Sequence, residues 1–251
     1  MISGMTWMRS SRVAVVALLF ATVVGLAGGG NRATAQDDAA GMLEEAVRAM
    51  AALSSFHFEL STPRGQTLVI QQLELIRLEG DVQRPDRFRG TIEARAAVIE
   101  LSVDVVGIGT QLWVSDPSSE EGGYFELEIP SVGGEQFASP ADFINPDRIL
   151  LRAVDLIEEP SLGGEDEIDG VAVTRIDGVF DPASVTGGGE GTATASLAGQ
   201  PLPLAIWIDD EFRVRRLEVA GPFIASEAPD VVRRLDLSAF DEPVEIIAPV
   251  T

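Results

Sequence analysis

The segment VIELSVDV, residues 98–105, decides the fold. Ile99, Leu101, Val103 and Val105 alternate with Val98, Glu100, Ser102 and Asp104. Successive strand side chains point to opposite faces, so one face of this strand is apolar and the other largely wet. That alternation specifies an antiparallel sheet with one side on a core and one in water. The period of two extends from Phe56 to about Asp116, interrupted at TPRG (62–65), RPD (84–86) and VGIG (106–109). These interruptions hold the Pro, Gly and Asp residues that favour turns, which makes the region an expected meander.

Strand signals return in VAVTRIDGVF (171–180), LPLAIWID (202–209), RVRRLEVAG (213–221) and VVRRLDLSAF (231–240). Asp209-Asp210 is expected to turn the second of these into the third, and TGGGEG (186–191) to form a loop. Two helices are predicted around the strands. The first is capped by Asp37 or Asp38 and carries Met42, Leu43, Ala46, Val47, Met50 and Leu53 on one face. The second has Asn145 as cap and Pro146 at its first position. Its stripe is Ile149, Leu150, Ala153, Val154 and Ile157, and Pro160 with Gly163-Gly164 end it. About ten strands with two or three helices make an α+β domain. A one-sided sheet must cover its apolar face, and so few helices cover it only in part. Long sheets curl, so a hollow apolar interior is expected.

The N-terminus has the three parts of an export signal. Arg9 and Arg12 precede the uncharged apolar run Val13–Leu26, and Ala33-Thr34-Ala35 offers a cleavage site. Residues 1–35 are therefore expected to be a leader and 36–251 a single domain. The alternative is an uncleaved helix, since the apolar stretch from Val13 to Gly30 just reaches spanning length. Either way the domain is exported, periplasmic or extracellular, or tethered in the cell envelope.

Beyond residue 35 there are 15 arginines, no lysine and 40 carboxylates, a net charge of −25 with His57 neutral. Such a surface repels phosphate backbones, which excludes nucleic acid as a partner, and disfavours docking through a basic patch. The sequence has no cysteine. Thiol catalysis and thiolate metal sites are excluded.

Reactive chemistry is equally thin. His57, the single histidine, lies within the alternating segment SSFHFEL and reads as structural. It has no nucleophile-elbow context. GGEDEIDG (163–170) reads as a solvated acidic turn, with calcium as the alternative, although it lacks the EF-hand spacing. DDE (209–211) reads the same way. No catalytic residue, metal site or cofactor is expected. Trp113 and Trp207 lie in apolar strand runs, where they either pack in a core or line an interior.

The order of segments resembles the LppX/LprG-type family of actinobacterial lipoproteins, relatives in fold of the LolA and LolB carriers. The likeness spans residues 40–249. It rests on the first helix leading into SSFHFEL, on GDVQRPDRFRG (80–90), QLWVSD (111–116), NPDRILLRAVDLI (145–157) and DEIDGVAVTRIDG (166–178). LPLAIWIDDEFRVRRLEVAG and LDLSAFDEPVEIIAP complete it. The resemblance implies a curved antiparallel half-barrel, helices on its concave side, and an apolar cavity. It also implies a non-catalytic carrier of acyl-chain lipids or glycolipids, working with an envelope membrane or a transporter. An envelope sensor or assembly partner built on the same fold is the alternative. Family members carry a lipobox cysteine; here Gly29 of LAGGG (26–30) stands in its place.

Candidate cavity residues follow from alternation and helical spacing. They are Ile99, Leu101, Val103, Val105 and Trp113 in the meander, Leu204, Ile206 and Ile208 near the C-terminus, and Ile149 and Val154 on the second helix. A one-residue slip of register would move a strand's whole set to the other face.

Overall fold

The computed structural model describes residues 29–68, 73–116, 123–126, 154, 156–181, 200–223 and 226–249. Among them are one long helix, α1 (Gly29–Ala52), and twelve strands. The strands are β1 (Ser55–Arg64), β2 (Thr67–Leu68), β3 (Glu74–Gln83), β4 (Arg87–Ala96), β5 (Ile99–Ile108) and β6 (Gln111–Ser115). There follow β7 (Tyr124–Glu126), β8 (Glu158–Ile168), β9 (Val171–Phe180), β10 (Leu202–Asp209), β11 (Val214–Ala220) and β12 (Val232–Ser238).

All pair antiparallel in one curved, open sheet of order β7-β6-β5-β4-β3-β1-β12-β11-β10-β9-β8, with β2 extending the ladder on β3. The meander and the C-terminal hairpins are thus two halves, zipped together where β1 meets β12. The one-sided antiparallel sheet expected from alternation is present, and it is curved and open as in the half-barrel that the family resemblance implies.

Three expectations about elements are corrected. Within the described residues the helix already runs from Gly29, so Asp37 and Asp38 lie inside it rather than capping it. Ala33, Ala35 and Gln36 are good helix formers and nothing between Gly29 and Asp37 breaks the turn. Pro160 and Gly163-Gly164 do not terminate a helix but lie within β8. As an edge strand, β8 tolerates a proline, shows register shifts at Glu158/Ser161 and Leu162/Gly164, and is blunted by exposed acids. The acidic run is therefore strand, not turn; the turn is Asp169-Gly170. Strand alternation separates its carboxylates, and Asp166 accepts from Trp207 Nε1 (3.1 Å) and the Glu167 N–H (2.8 Å). The second helix falls mostly outside the described residues, as does TGGGEG; Val154 is helical and buried.

Helix α1 packs near β8 and buries Ala39, Leu43, Ala46 and Met50, with Leu53 just past its end, in the core shared with the sheet's inner face. At its end, Met50 Sδ accepts the Val214 N–H at 3.3 Å. The outer face of the sheet is laced with cross-strand ion pairs, Arg216–Asp236 and Arg234–Glu218 among them.

The β10–β11 turn departs from a plain solvated tip. Asp209 is only 2 % exposed. It accepts the N–H groups of Glu211 and Arg213 and the guanidinium groups of Arg213 and Arg215. Burial alone would push its carboxyl up, but the Arg213 N–H and the Arg215 and Arg213 side chains outweigh burial and hold it below 3.8. A depressed folded pKa adds stability above the unfolded value, lost as pH falls through the folded one. Asp209→Asn is therefore expected to lower stability at neutral pH and to flatten the loss below pH 3.8. Denaturation midpoints measured against pH for both proteins check this.

Candidate functional site

Pairing registers align the inner face into transverse rows. The deepest row is Leu112, Gly107, Phe88, Val82 and Phe56 across β6, β5, β4, β3 and β1. Its four large side chains are fully buried. A β-carbon on Gly107 would run into the Phe88 ring, so only glycine lets that ring lie flat on β5. The next row is Val105, Gly90, Gly80, Phe58 and Leu237, where Phe58 lies beside the two glycines.

One step further stands a row that crosses nine strands: Val103, Ile92, Leu78, Leu60, Leu235, Leu217, Ile206, Ile176 and Leu162. Its middle, from Leu235 to Ile176, is buried. On the meander side, Val103, Ile92, Leu78 and Leu60 are only half-buried. Along β5 exposure climbs from 2 % at Val105 to 37 % at Leu101 and 61 % at Ile99. Among the described residues the concave face is thus sealed at one end and leaves an apolar floor only partly covered toward the other, on β1, β3, β4 and β5.

The sequence-derived candidates divide accordingly. Ile99, Leu101 and Val103 lie on the uncovered floor and Val105 at its sealed margin. Leu204, Ile206 and Ile208 share the inner face but are buried in the core with α1, as is Val154. Ile149 lies outside the described residues. Trp113 is opposite Val106, between the inward Leu112 and Val114, so it stands on the outer face. Trp207 also faces outward, in a small cluster with Ile168, Val173 and Ala205 and beneath the Arg175 guanidinium (5.3 Å). Both tryptophans sit in strands apolar on two sides, where alternation does not distinguish the faces. Leu60, Leu78 and Ile92 were missed as floor residues. The regular spacing of β1 and β4 against β5 was the signal available for them.

Polar groups flank this floor without converging on it. At its open end Arg233 is turned inward beside Val219 and neutralised by Glu227, Nη2 to Oε1 2.5 Å. Burial alone would raise Glu227, but Arg233 and the Leu68 and Phe223 N–H groups hold it below 4.5. This pair ties β2 and the 221–231 connection together at the rim. His57 faces outward and bonds Asp81 through Nδ1 at 2.9 Å, while Asp81 also accepts from Arg89. Burial opposes ionisation of Asp81, yet His57 and Arg89 bring it below 3.8. The histidine is on the side of the sheet away from the floor. Among the described residues no cluster of side chains is arranged to hold a metal.

A family model described as LppX_LprAFG lipoprotein matches residues 38–246. The chain belongs to that family. A proposed diacylated glycolipid transporter, LprF of Mycobacterium tuberculosis, is 25% identical over 210 residues, covering 79% of this chain and 75% of that one. The crystal structure of LprF from Mycobacterium bovis superposes with a TM-score of 0.60 at 19% identity, over 86% of this chain and 98% of that chain. Lipoprotein LppX of Mycobacterium tuberculosis gives 0.56 at 16% identity, over 84% and 99%. These likenesses place the LppX_LprAFG half-barrel beyond the level of sequence pattern. Within the sequence given, the family's lipid-bearing cysteine has no counterpart.

Proposed function

We propose that this protein binds the acyl chains of envelope lipids or glycolipids on the uncovered floor of its concave face. It carries them between membranes without changing them chemically. The observation that carries this reading is the continuous apolar row whose meander half, Val103-Ile92-Leu78-Leu60, lacks the cover its other half has. Contiguous uncovered apolar surface in a folded chain marks a place where something binds. Acyl chains suit it because each buried methylene contributes about 0.8 kcal/mol and needs no polar partner. The description of LprF as a diacylated glycolipid transporter supports the same ligand class.

Export fits this role. A leader over residues 1–35 leaves residues 36–251 as one lipid-binding domain outside the cytoplasmic membrane, freely diffusing if cleaved after Ala35 and tethered if not. The test is transfer of a fluorescent diacyl lipid from donor to acceptor vesicles. Transfer should accelerate in proportion to protein and saturate with lipid. A rate equal to spontaneous transfer at every protein concentration overturns the carrier role.

A further inference from the structure

The β4–β5 hairpin ends in a turn formed by Ala97 and Val98, flanked by Ala96 and Ile99. Val98 is 93 % exposed, more than any other large hydrophobic among the described residues. Ala97 has φ 55°. Two-residue hairpin turns with positive φ at the first central position favour glycine, and turn tips in general favour Gly, Asn and Asp. Here the left-handed backbone falls on alanine and the apex is valine, a choice unsuited to a tip that meets only water.

The tips at the sealed end have the opposite character. Asp86 lies in the β3–β4 turn, Asp169 in β8–β9, and Asp210 and Glu211 in β10–β11, all exposed. Among the described turns, these tips at the sealed end are acidic, whereas the Ala97–Val98 tip is apolar and stands where the floor opens. From Val98 an apolar path leads through Ile99 and Leu101 to Val103 inside.

We propose that the β4–β5 tip inserts into the surface of a lipid bilayer and seats the open end of the concavity on it. The inference rests on the lipid-binding reading above and names the element that meets the membrane. A lipid surface fits better than a protein partner. Two side chains at the apex of a narrow hairpin offer far less area than a stable protein interface needs. A bilayer accepts such a wedge, and the desolvation cost of burying the carboxylates at the acidic tips keeps the sealed end in water. Attraction by a basic patch plays no part, because Arg95, the cation next to the tip, is already paired with Glu100 and Glu74. Binding should accordingly be stronger on neutral vesicles than on anionic ones, and salt should narrow the difference.

A chain without cysteine makes a local test direct. In the full-length chain, Val98→Cys is labelled with an environment-sensitive nitrobenzoxadiazole dye, and Asp210→Cys at the opposite end likewise. On addition of phosphatidylcholine vesicles the dye at 98 should brighten severalfold and shift to the blue, and the dye at 210 should not. This holds even if the N-terminal segment also binds the bilayer. A dye at 98 that stays in water, or that responds no more than the one at 210, overturns the proposal.

Val98→Asp adds a functional readout. Uptake of diacyl lipid from vesicles should slow by about tenfold, the size of losing one buried valine. Binding of short-chain phosphatidylcholine added below its micellar concentration should not change. Unchanged vesicle uptake overturns the tip's role. Failure of the unaltered protein to bind the monomeric lipid instead sinks the lipid-binding reading, and the dye still decides on membrane insertion.

Discussion

Ile92→Asp is expected to abolish lipid loading while leaving the fold in place. Ile92 is the centre of the uncovered half-row, paired with Val103 on β5 and with Leu78 on β3. An acyl chain lying on this floor would strip water from a carboxylate there, at a cost of several kcal/mol with no partner to offset it. Affinity should fall by at least about a hundredfold, since each 1.4 kcal/mol is tenfold. Without lipid the half-buried side chain still reaches water, so the unfolding transition should move by only a few degrees. Thr91→Ala, one residue away on the outer face, should leave binding unchanged. Titration with a fluorescent diacyl lipid measures both. Wild-type affinity in Ile92→Asp would place the ligand somewhere other than this floor.

Phe58→Ala should have the largest effect on stability. The ring is fully buried, and a β-carbon on Gly90 would already come within 3.5 Å of its Cζ. On the β3 side the row offers only Gly80 and Gly90, with no side chain to collapse into the space, and Leu237 on β12 is itself held in the core. Deleting a buried phenyl ring typically costs about 3–5 kcal/mol when the cavity stays open. For a domain of this size that corresponds to a fall in Tm of roughly 10 °C. Thermal or urea unfolding followed by circular dichroism checks it. A loss below about 1 kcal/mol would mean that the sealed end is not the solid anchor of the sheet.

Much of this was legible in the sequence because alternation is a direct record of which side faces water. VIELSVDV put Ile99, Leu101, Val103 and Val105 on one face of β5, and of the stripe Met42, Leu43, Ala46, Val47, Met50 and Leu53 all but Met42 and Val47 are buried. Legibility failed where the pattern had no contrast. In QLWVSD and LPLAIWID apolar residues occupy both faces, so Trp113 and Trp207 could be assigned inward although the register turns them outward.

It failed again where a local rule has an exception at the edge of a sheet. Pro160 and the glycines of β8 are turn formers by propensity, yet an edge strand can hold them because its outer ladder needs no donor. Asp209 read as a solvated tip because the arginines that surround it lie across the turn, Arg213 just before the next strand and Arg215 on it. The division of the inner face into covered and uncovered halves is a tertiary property, and no single strand records it. Ile206 and Val103 look alike in sequence, and only their places along the row that joins them show which one is fully buried.

The most direct measurement is native mass spectrometry of the exported protein, followed by extraction and identification of whatever leaves with it. The expected result is a stoichiometric diacyl lipid or glycolipid, lost in Ile92→Asp. A clean unliganded mass that stays clean after incubation with envelope lipids would contradict a lipid carrier.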